Sequence, residues 1–333
     1  MHVKIDSVGI IGGGAWGTAL AQTLCRAGRD VLVWAREPDV VEEFNAKHTN
    51  SAFLPGVSLD PTIRATGTLA EVASRDAILM VAPAQHVRAV SQGLKSHLHA
   101  GQPIVLCAKG IEQASGKLMG DVIEDVLPDV TRAVLSGPSF AADVARGLPT
   151  ALTIACADEE VGRLLAERLG DRHFRLYWTS DLLGVELGGA VKNVLAIAAG
   201  IVDGQGLGAS AHAALVTRGF AELRRFGEAL GARPETLIGL SGLGDLILTC
   251  GSPQSRNMSL GRALGQGKTL SEILGSRTAV TEGVYTAAAV QRIAAEKGID
   301  MPITSAVCNI LDGRASVPDA IAQLMQRPFK AED

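Results

Sequence analysis

Strands alternating with helices up to residue 180, and a purely helical pattern beyond it, predict an α/β chain. The expected architecture is a doubly wound parallel sheet over residues 1–180 followed by an all-helical domain over 181–333. Length supports the division, since 333 residues exceed what one compact core usually serves. A glycine-rich turn between the first strand and the first helix adds a ligand loop at the head of the sheet.

In order, Val8-Gly-Ile-Ile-Gly12 reads as a buried strand, and Gly12-Gly-Gly14-Ala-Trp-Gly17 opens an Ala/Leu-rich helix ending at Gly28. Asp30–Arg36 is the second strand, which completes the setting that makes a GxGxxG turn a dinucleotide-binding (Rossmann) signature. Gly12 allows the tight turn, Gly14 lets backbone approach a pyrophosphate, and Gly17 lets the helix pack on the strand. Trp16 either flanks a cofactor or plugs the core. The alternation continues with strands at Thr62–Thr66, Asp76–Pro83, Pro103–Gly110, Arg132–Gly137, Thr150–Ala155 and Phe174–Trp178. Helices fall at His86–Leu98, Gly116–Leu127 and Glu159–Leu169. Ligands bind beyond the carboxyl ends of such strands, so Pro83, Lys109 and the turn Gly137-Pro-Ser-Phe-Ala141 are expected to line one crevice. Lys109 is aimed there or is an ordinary strand-end lysine. Ser139 reads as an N-cap compatible with ligand binding.

Composition narrows the function. Lys plus Arg number 31 against 35 acidic residues, for a net charge of −4 and no long basic block, which argues against a nucleic-acid partner. The five cysteines are scattered, with no CxxC pair, as expected in a reducing compartment. No charge-free apolar run reaches the ~18 residues of a membrane span, and Met1–Ser7 shows no signal-peptide pattern, so the expectation is a cytoplasmic protein. A homodimer is compatible with this reading. His97 and His99 read as surface residues, and no metal site is expected.

Thr179-Ser180-Asp181 is a capping cluster, after which strand signals vanish. Ala213, Val216, Phe220, Leu223 and Leu230 recur at helical spacing, and Thr281–Lys297 and Ser316–Gln326 follow. In Leu187–Val202, Lys192 is the lone charge among small and apolar residues. Burial drives a lysine pKa toward neutrality, where it exchanges a proton; the alternative is a stem that snorkels its head to solvent. Gly188 and Gly189 share its face and leave bare backbone there, which reads as room for a ligand, with the Asn193 amide nearby. Gly239–Leu248 holds one acid, Asp245, which either pairs with Lys192 or caps the next helix. Ser255, Arg256 and Asn257 cluster before a short helix, a combination of hydroxyl, guanidinium and free N–H groups suited to a phosphate monoester.

Six segments together closely resemble the bacterial NAD(P)-dependent glycerol-3-phosphate dehydrogenases: 12–19, Ala108-Lys-Gly110, Ser136–Ala141, Gly188–Val194, Gly242–Leu246 and Gln254-Ser-Arg-Asn257. The resemblance runs through the whole chain in order. It implies an enzyme interconverting dihydroxyacetone phosphate and sn-glycerol 3-phosphate, supplying phospholipid synthesis. Lys192 then resembles the family's proton donor and acceptor, Asp245 the carboxylate beside it, and Lys109 a lysine touching cofactor and substrate. Gly137, Ser139, Ser255, Arg256 and Asn257 resemble substrate-binding positions. Gly12, Gly14, Ala15, Trp16, Gly17, Arg36, Ala141, Arg256, Val280 and Glu282 resemble cofactor contacts. Ala15 stands where many relatives carry Ser, so only a backbone contact is expected there.

In the implied reaction the Lys192 ammonium protonates the developing alkoxide, Asp245 and Lys109 hold the geometry, and the phosphate tether contributes remote binding energy. One rival is a 3-hydroxyisobutyrate or 6-phosphogluconate type dehydrogenase, against which stand the Ser-Arg-Asn site and the Gly-Leu-Gly-Asp-Leu motif. Another is a non-catalytic dinucleotide sensor, which has no reason to keep Lys192. The second strand ends at Arg36 with Glu37 next; a cation there suits a 2′-phosphate and an acid a 2′-hydroxyl, so NADPH is expected to be preferred over NADH.

Overall fold

The computed structural model describes residues 4–275 and 280–328. Its first half is one eight-stranded sheet, in the spatial order β3-β2-β1-β4-β5-β6-β7-β8. The strands are β1 Ser7–Ile11, β2 Asp30–Trp34, β3 Arg64–Thr66, β4 Ala77–Met80, β5 Pro103–Leu106, β6 Thr131–Ser136, β7 Thr150–Cys156 and β8 Phe174–Thr179. Apolar runs make these strands because both faces are covered: in β4, Ala77 and Leu79 enter one core and Ile78 and Met80 the other. The order reverses at β1, which pairs in parallel with β2 on one side and β4 on the other. That is the switch point where a doubly wound sheet opens a crevice.

One pair departs from the expected parallel sheet, for β7 runs antiparallel to β6 with Ser136 opposite Thr153. The cause lies in the connection, whose helix Ala141–Ala145 has five residues. It rises only about 7.5 Å, too little to carry the chain back along a six-residue strand of roughly 20 Å. The chain therefore turns back at the crevice end of β6. Parallel pairing resumes between β7 and β8 across the longer helix Glu159–Leu169.

The second half is helical and wraps the central helix Leu182–Gly204. Asp181 caps that helix by accepting the Gly184 N–H at 2.9 Å. It is the one helix among the described residues long and apolar enough to cross a membrane, yet 94% of its most apolar window is buried inside the protein. Its neighbour Arg256–Gly265 approaches backbone to backbone. A Cβ on Gly200 would stand 2.0 Å from the Met258 carbonyl oxygen, and one on Gly261 would stand 2.0 Å from that of Ile197, so only glycine permits this contact.

Candidate active site

The glycine turn sits at the crevice end of β1. Gly12 has φ +125°, and a Cβ on Gly17 would lie 1.9 Å from the Gly12 carbonyl oxygen, so the helix Ala15–Arg26 begins flush against the loop. Gly14 differs, because its Cβ would meet nothing within 4 Å. No side chain caps this helix and no acid occupies its first turn. Bare backbone, open space and an uncapped positive helix end suit the pyrophosphate of a dinucleotide. Asn50 braces the loop from below, donating to the Gly13 carbonyl at 2.8 Å and to the Thr18 hydroxyl at 2.7 Å. Trp16 is partly buried, packs against the core of the first half and leaves its buried Nε1 without a protein partner. Ala141 opens the short helix after β6.

Lys192 lies at the middle of the central helix with 6% of its surface exposed, and its head does not snorkel. Its Nζ donates to Asp245 Oδ1 at 2.7 Å and to Thr249 Oγ1 at 2.7 Å. Asp245 is 1% exposed and begins the helix Asp245–Cys250 without capping it. The carboxylate is shared: Lys109 Nζ reaches Oδ2 at 2.7 Å and also the Gly137 carbonyl at 3.1 Å. Burial pushes the Lys192 pKa down, the Asp245 charge partly restores it, and Lys109 lowers it again, leaving about 8. For Asp245 burial acts upward, and the two ammonium groups outweigh it and hold the carboxyl below its usual value.

Local folding explains how Asp245 arrives there. A wide turn at Leu240–Gly244 precedes its helix, and a Cβ on Gly242 would stand 1.9 Å from the Leu237 carbonyl oxygen. Gly188 and Gly189 do not leave room for a ligand. A Cβ on Gly188 would press on Ser241 and Gly242 backbone, and one on Gly189 would press on Ser136 Oγ and the stem of Lys109. These glycines dock the wide turn and Lys109 against the helix.

Two further expectations change. Lys109 stands beyond β5, which ends at Leu106, because backbone pairing with β6 stops there. Ser139 is not the cap of the following helix; Phe140 holds that position and Ser139 Oγ donates to the Gly137 carbonyl at 3.2 Å. Gly137 has φ +151°, and a Cβ would lie 2.9 Å from Leu152 Cα, so the crowded turn favours glycine.

Ser255 caps the helix Arg256–Gly265 through the Met258 N–H at 3.2 Å. Asn257 is buried and spoken for at both ends: Oδ1 accepts the Gly283 N–H at 3.0 Å, and Nδ2 donates to Asn193 Oδ1 at 2.9 Å. Asn193 in turn donates to the Lys109 carbonyl at 3.0 Å. Arg256 is exposed, yet the protein around it lowers its pKa, an effect that the Glu282 charge opposes. Glu282 Oε1 accepts the Ala84 N–H at 3.0 Å across the crevice, while its buried Oε2 has no hydrogen-bond partner and burial raises its pKa. Val280 lies half-buried just before this helix. Arg36 is well exposed and pairs with Glu37 Oε1 at 2.9 Å. Thr249 is the site residue that sequence reasoning missed; its position four residues after Asp245 on a helix was the available signal.

The family model for the N-terminus of NAD-dependent glycerol-3-phosphate dehydrogenase matches residues 7–162, and the model for its C-terminus matches 181–322. The chain is 59% identical to glycerol-3-phosphate dehydrogenase [NAD(P)+] of Parvibaculum lavamentivorans, covering 100% of both chains. It is 57% identical to the protein of the same name in Caulobacter vibrioides, over 99% of this chain and 100% of that one. The crystal structure of glycerol-3-phosphate dehydrogenase from Coxiella burnetii superposes with a TM-score of 0.93 at 39% identity, covering 97% of this chain and 99% of that one.

Proposed function

Because the chain belongs to the family of NAD-dependent glycerol-3-phosphate dehydrogenases, we propose that it reduces dihydroxyacetone phosphate to sn-glycerol 3-phosphate. The observation that carries the chemistry is the buried Lys192, held by Asp245 and Thr249 with a pKa near 8. An ammonium with that pKa gives up its proton readily near neutral pH.

Gly12, Gly14, Ala15, Trp16 and Gly17 hold the dinucleotide on one side of the crevice, and Arg256, Val280 and Glu282 meet it from the other. When bound, the nicotinamide supplies the hydride that reduces the C2 carbonyl. Lys192 polarises the carbonyl oxygen and protonates it as negative charge develops. Asp245 keeps Lys192 charged until that moment. Lys109, anchored on the other carboxylate oxygen, presents a second cation to the substrate and fixes Asp245 in place. Ser255, Arg256 and the N-terminus of the helix they begin seat the phosphate, with Asn257 locked behind them, so that binding energy far from the reacting carbon orients it. Gly137 and Ser139 border the same space. The 3-hydroxy-acid dehydrogenase reading is not favoured, since curated relatives above half identity carry the glycerol-3-phosphate dehydrogenase name.

Either nicotinamide dinucleotide fits, and NADPH is the preferred one in this reading. The Arg36–Glu37 pair is exposed and worth at most about 1 kcal/mol, so a 2′-phosphate displaces Glu37 at small cost. The test mixes dihydroxyacetone phosphate with NADPH and follows the loss of reduced-cofactor absorbance for the parent and Lys192→Ala. The variant should fall at least ~10²-fold in turnover while still binding cofactor. An inactive parent, or a variant with near-normal turnover, overturns the assignment.

A further inference from the structure

Lys109 lies three residues beyond its strand, so its reach depends on the loop that follows. Gln85 belongs to the short turn Ala84–His86 after β4. Its Nε2 donates to the Ile111 carbonyl at 2.8 Å and its Oε1 accepts the Gln113 N–H at 2.9 Å. One amide thus closes on the chain from both sides of Glu112, mimicking a strand neighbour where the sheet has ended. Glu112 is buried and takes the Arg88 guanidinium two-pronged, Nε to Oε1 at 2.9 Å and Nη2 to Oε2 at 2.9 Å. A bridge between Ile111 and Leu118 closes the base of the loop. Between Gln85's anchor and Lys109 stands only Gly110, whose Cβ would lie 2.8 Å from that of Ala84. Asn193 Nδ2 holds the Lys109 carbonyl at 3.0 Å, so the Gln85 bracket and Asn193 grip the lysine's backbone together.

We propose that Gln85 is a positioning residue for the dehydrogenase reaction: by pinning Ile111 and Gln113 it sets where Lys109 Nζ stands between Asp245 and the Gly137 carbonyl. A lysine side chain carries many rotamers, so its head is placed reproducibly only where its backbone is fixed and its partner waits. The Gln85 amide bonds to Ile111 and Gln113, on the far side of Gly110 from Lys109. It acts through the loop. The inference rests on the function proposed above, in which Lys109 works on the substrate.

The test is a double-mutant cycle on the full chain, with Gln85→Ala, Lys109→Ala and the pair, reading kcat/KM for dihydroxyacetone phosphate. Gln85→Ala should lose about tenfold in the parent and less than about twofold in the Lys109→Ala background, where nothing remains to position. Gln85→Glu, which keeps the acceptor for Gln113 and loses the donor to Ile111, should fall between parent and Gln85→Ala. A second readout is the alkaline limb of the kcat profile. Lys192 faces Asp245, Lys109, Thr249 and the Cys250 thiol, and a retracted Lys109 lowers its pKa less, so the limb should move upward in Gln85→Ala. Equal losses in both backgrounds, or no loss in the parent, overturn the proposal while leaving Lys109 in its role. A Lys109→Ala variant with parental kcat/KM removes the role of Lys109 itself, and the proposal with it.

Discussion

Asp245→Asn separates the two jobs of the shared carboxylate. The substitution keeps the shape and removes the charge between two ammonium groups, each 2.7 Å away. Leaving a buried charge without its partner costs on the order of 3–5 kcal/mol. Lys192 has a cheaper exit, because its pKa of about 8 lies only one unit above pH 7. Shedding the proton there costs about 1.4 kcal/mol, and less once the Asp245 charge that raises the pKa is gone. Neutralisation wins, so the variant should fold and should carry an uncharged Lys192 at pH 7. The sign follows if, as proposed, carbonyl reduction uses the protonated lysine: the parent should lose kcat as pH rises through about 8, and the variant should lose it at lower pH. At pH 7 the expected loss is ~10²-fold, with partial recovery on acidification. Stopped assays of kcat against pH for both proteins, with a thermal melt at each pH, measure this. An alkaline limb that stays in place or moves upward in Asp245→Asn would refute the account of how Lys192 is held.

Arg256→Ala should raise KM for dihydroxyacetone phosphate by roughly 10- to 100-fold with a smaller change in kcat, since the proposed charge-assisted contact to the phosphate would be lost. Unphosphorylated dihydroxyacetone should be a very poor substrate for the parent and no worse for the variant; equal turnover of the two ketones by the parent would exclude a phosphate seat. Arg36→Asp should shift kcat/KM toward NADH, because an acid two residues beyond β2, which ends at Trp34 and not at Arg36 as the sequence suggests, would accept the ribose 2′-hydroxyl and repel a 2′-phosphate. A parent that prefers NADH, or an unchanged preference in the variant, contradicts the assigned role of Arg36.

The strands were legible because β1, β4 and β5 are covered on both faces and so are written as continuous apolar runs. Lys192 was legible for the opposite reason, as one charge where no charge belongs, and the carboxylate that answers it was found by the same rule. The second cation on Asp245 was not. Lys109 and Asp245 are 136 positions apart, and no local pattern records which strand end meets which helix. Gly188 and Gly189 show the same limit: the sequence tells that something approaches closely there, and topology alone decides that it is protein. Ser139 has the right chemistry for a cap, but the crowded turn at Gly137 draws its hydroxyl back to that carbonyl and the helix starts two residues later. The antiparallel β7 was hidden in the length of a connecting helix.

The glycine contact between the central helix and the helix Arg256–Gly265 bears on how this site can change. Lys192 rides on one helix and the Ser255–Asn257 end belongs to the other, and where they cross, main chain lies on main chain. A gap of that kind has no side chain left to trim, and any larger residue at Gly200 or Gly261 wedges the helices apart. The distance from Lys192 to the Ser255–Asn257 end is therefore held by main chain, and in the proposed reaction it acts as a calliper between proton donor and phosphate seat. A change in the length of phosphorylated ketone accepted would then have to come from the other side of the proposed site, from the loops that follow β4, β5 and β6, and not from the helix crossing.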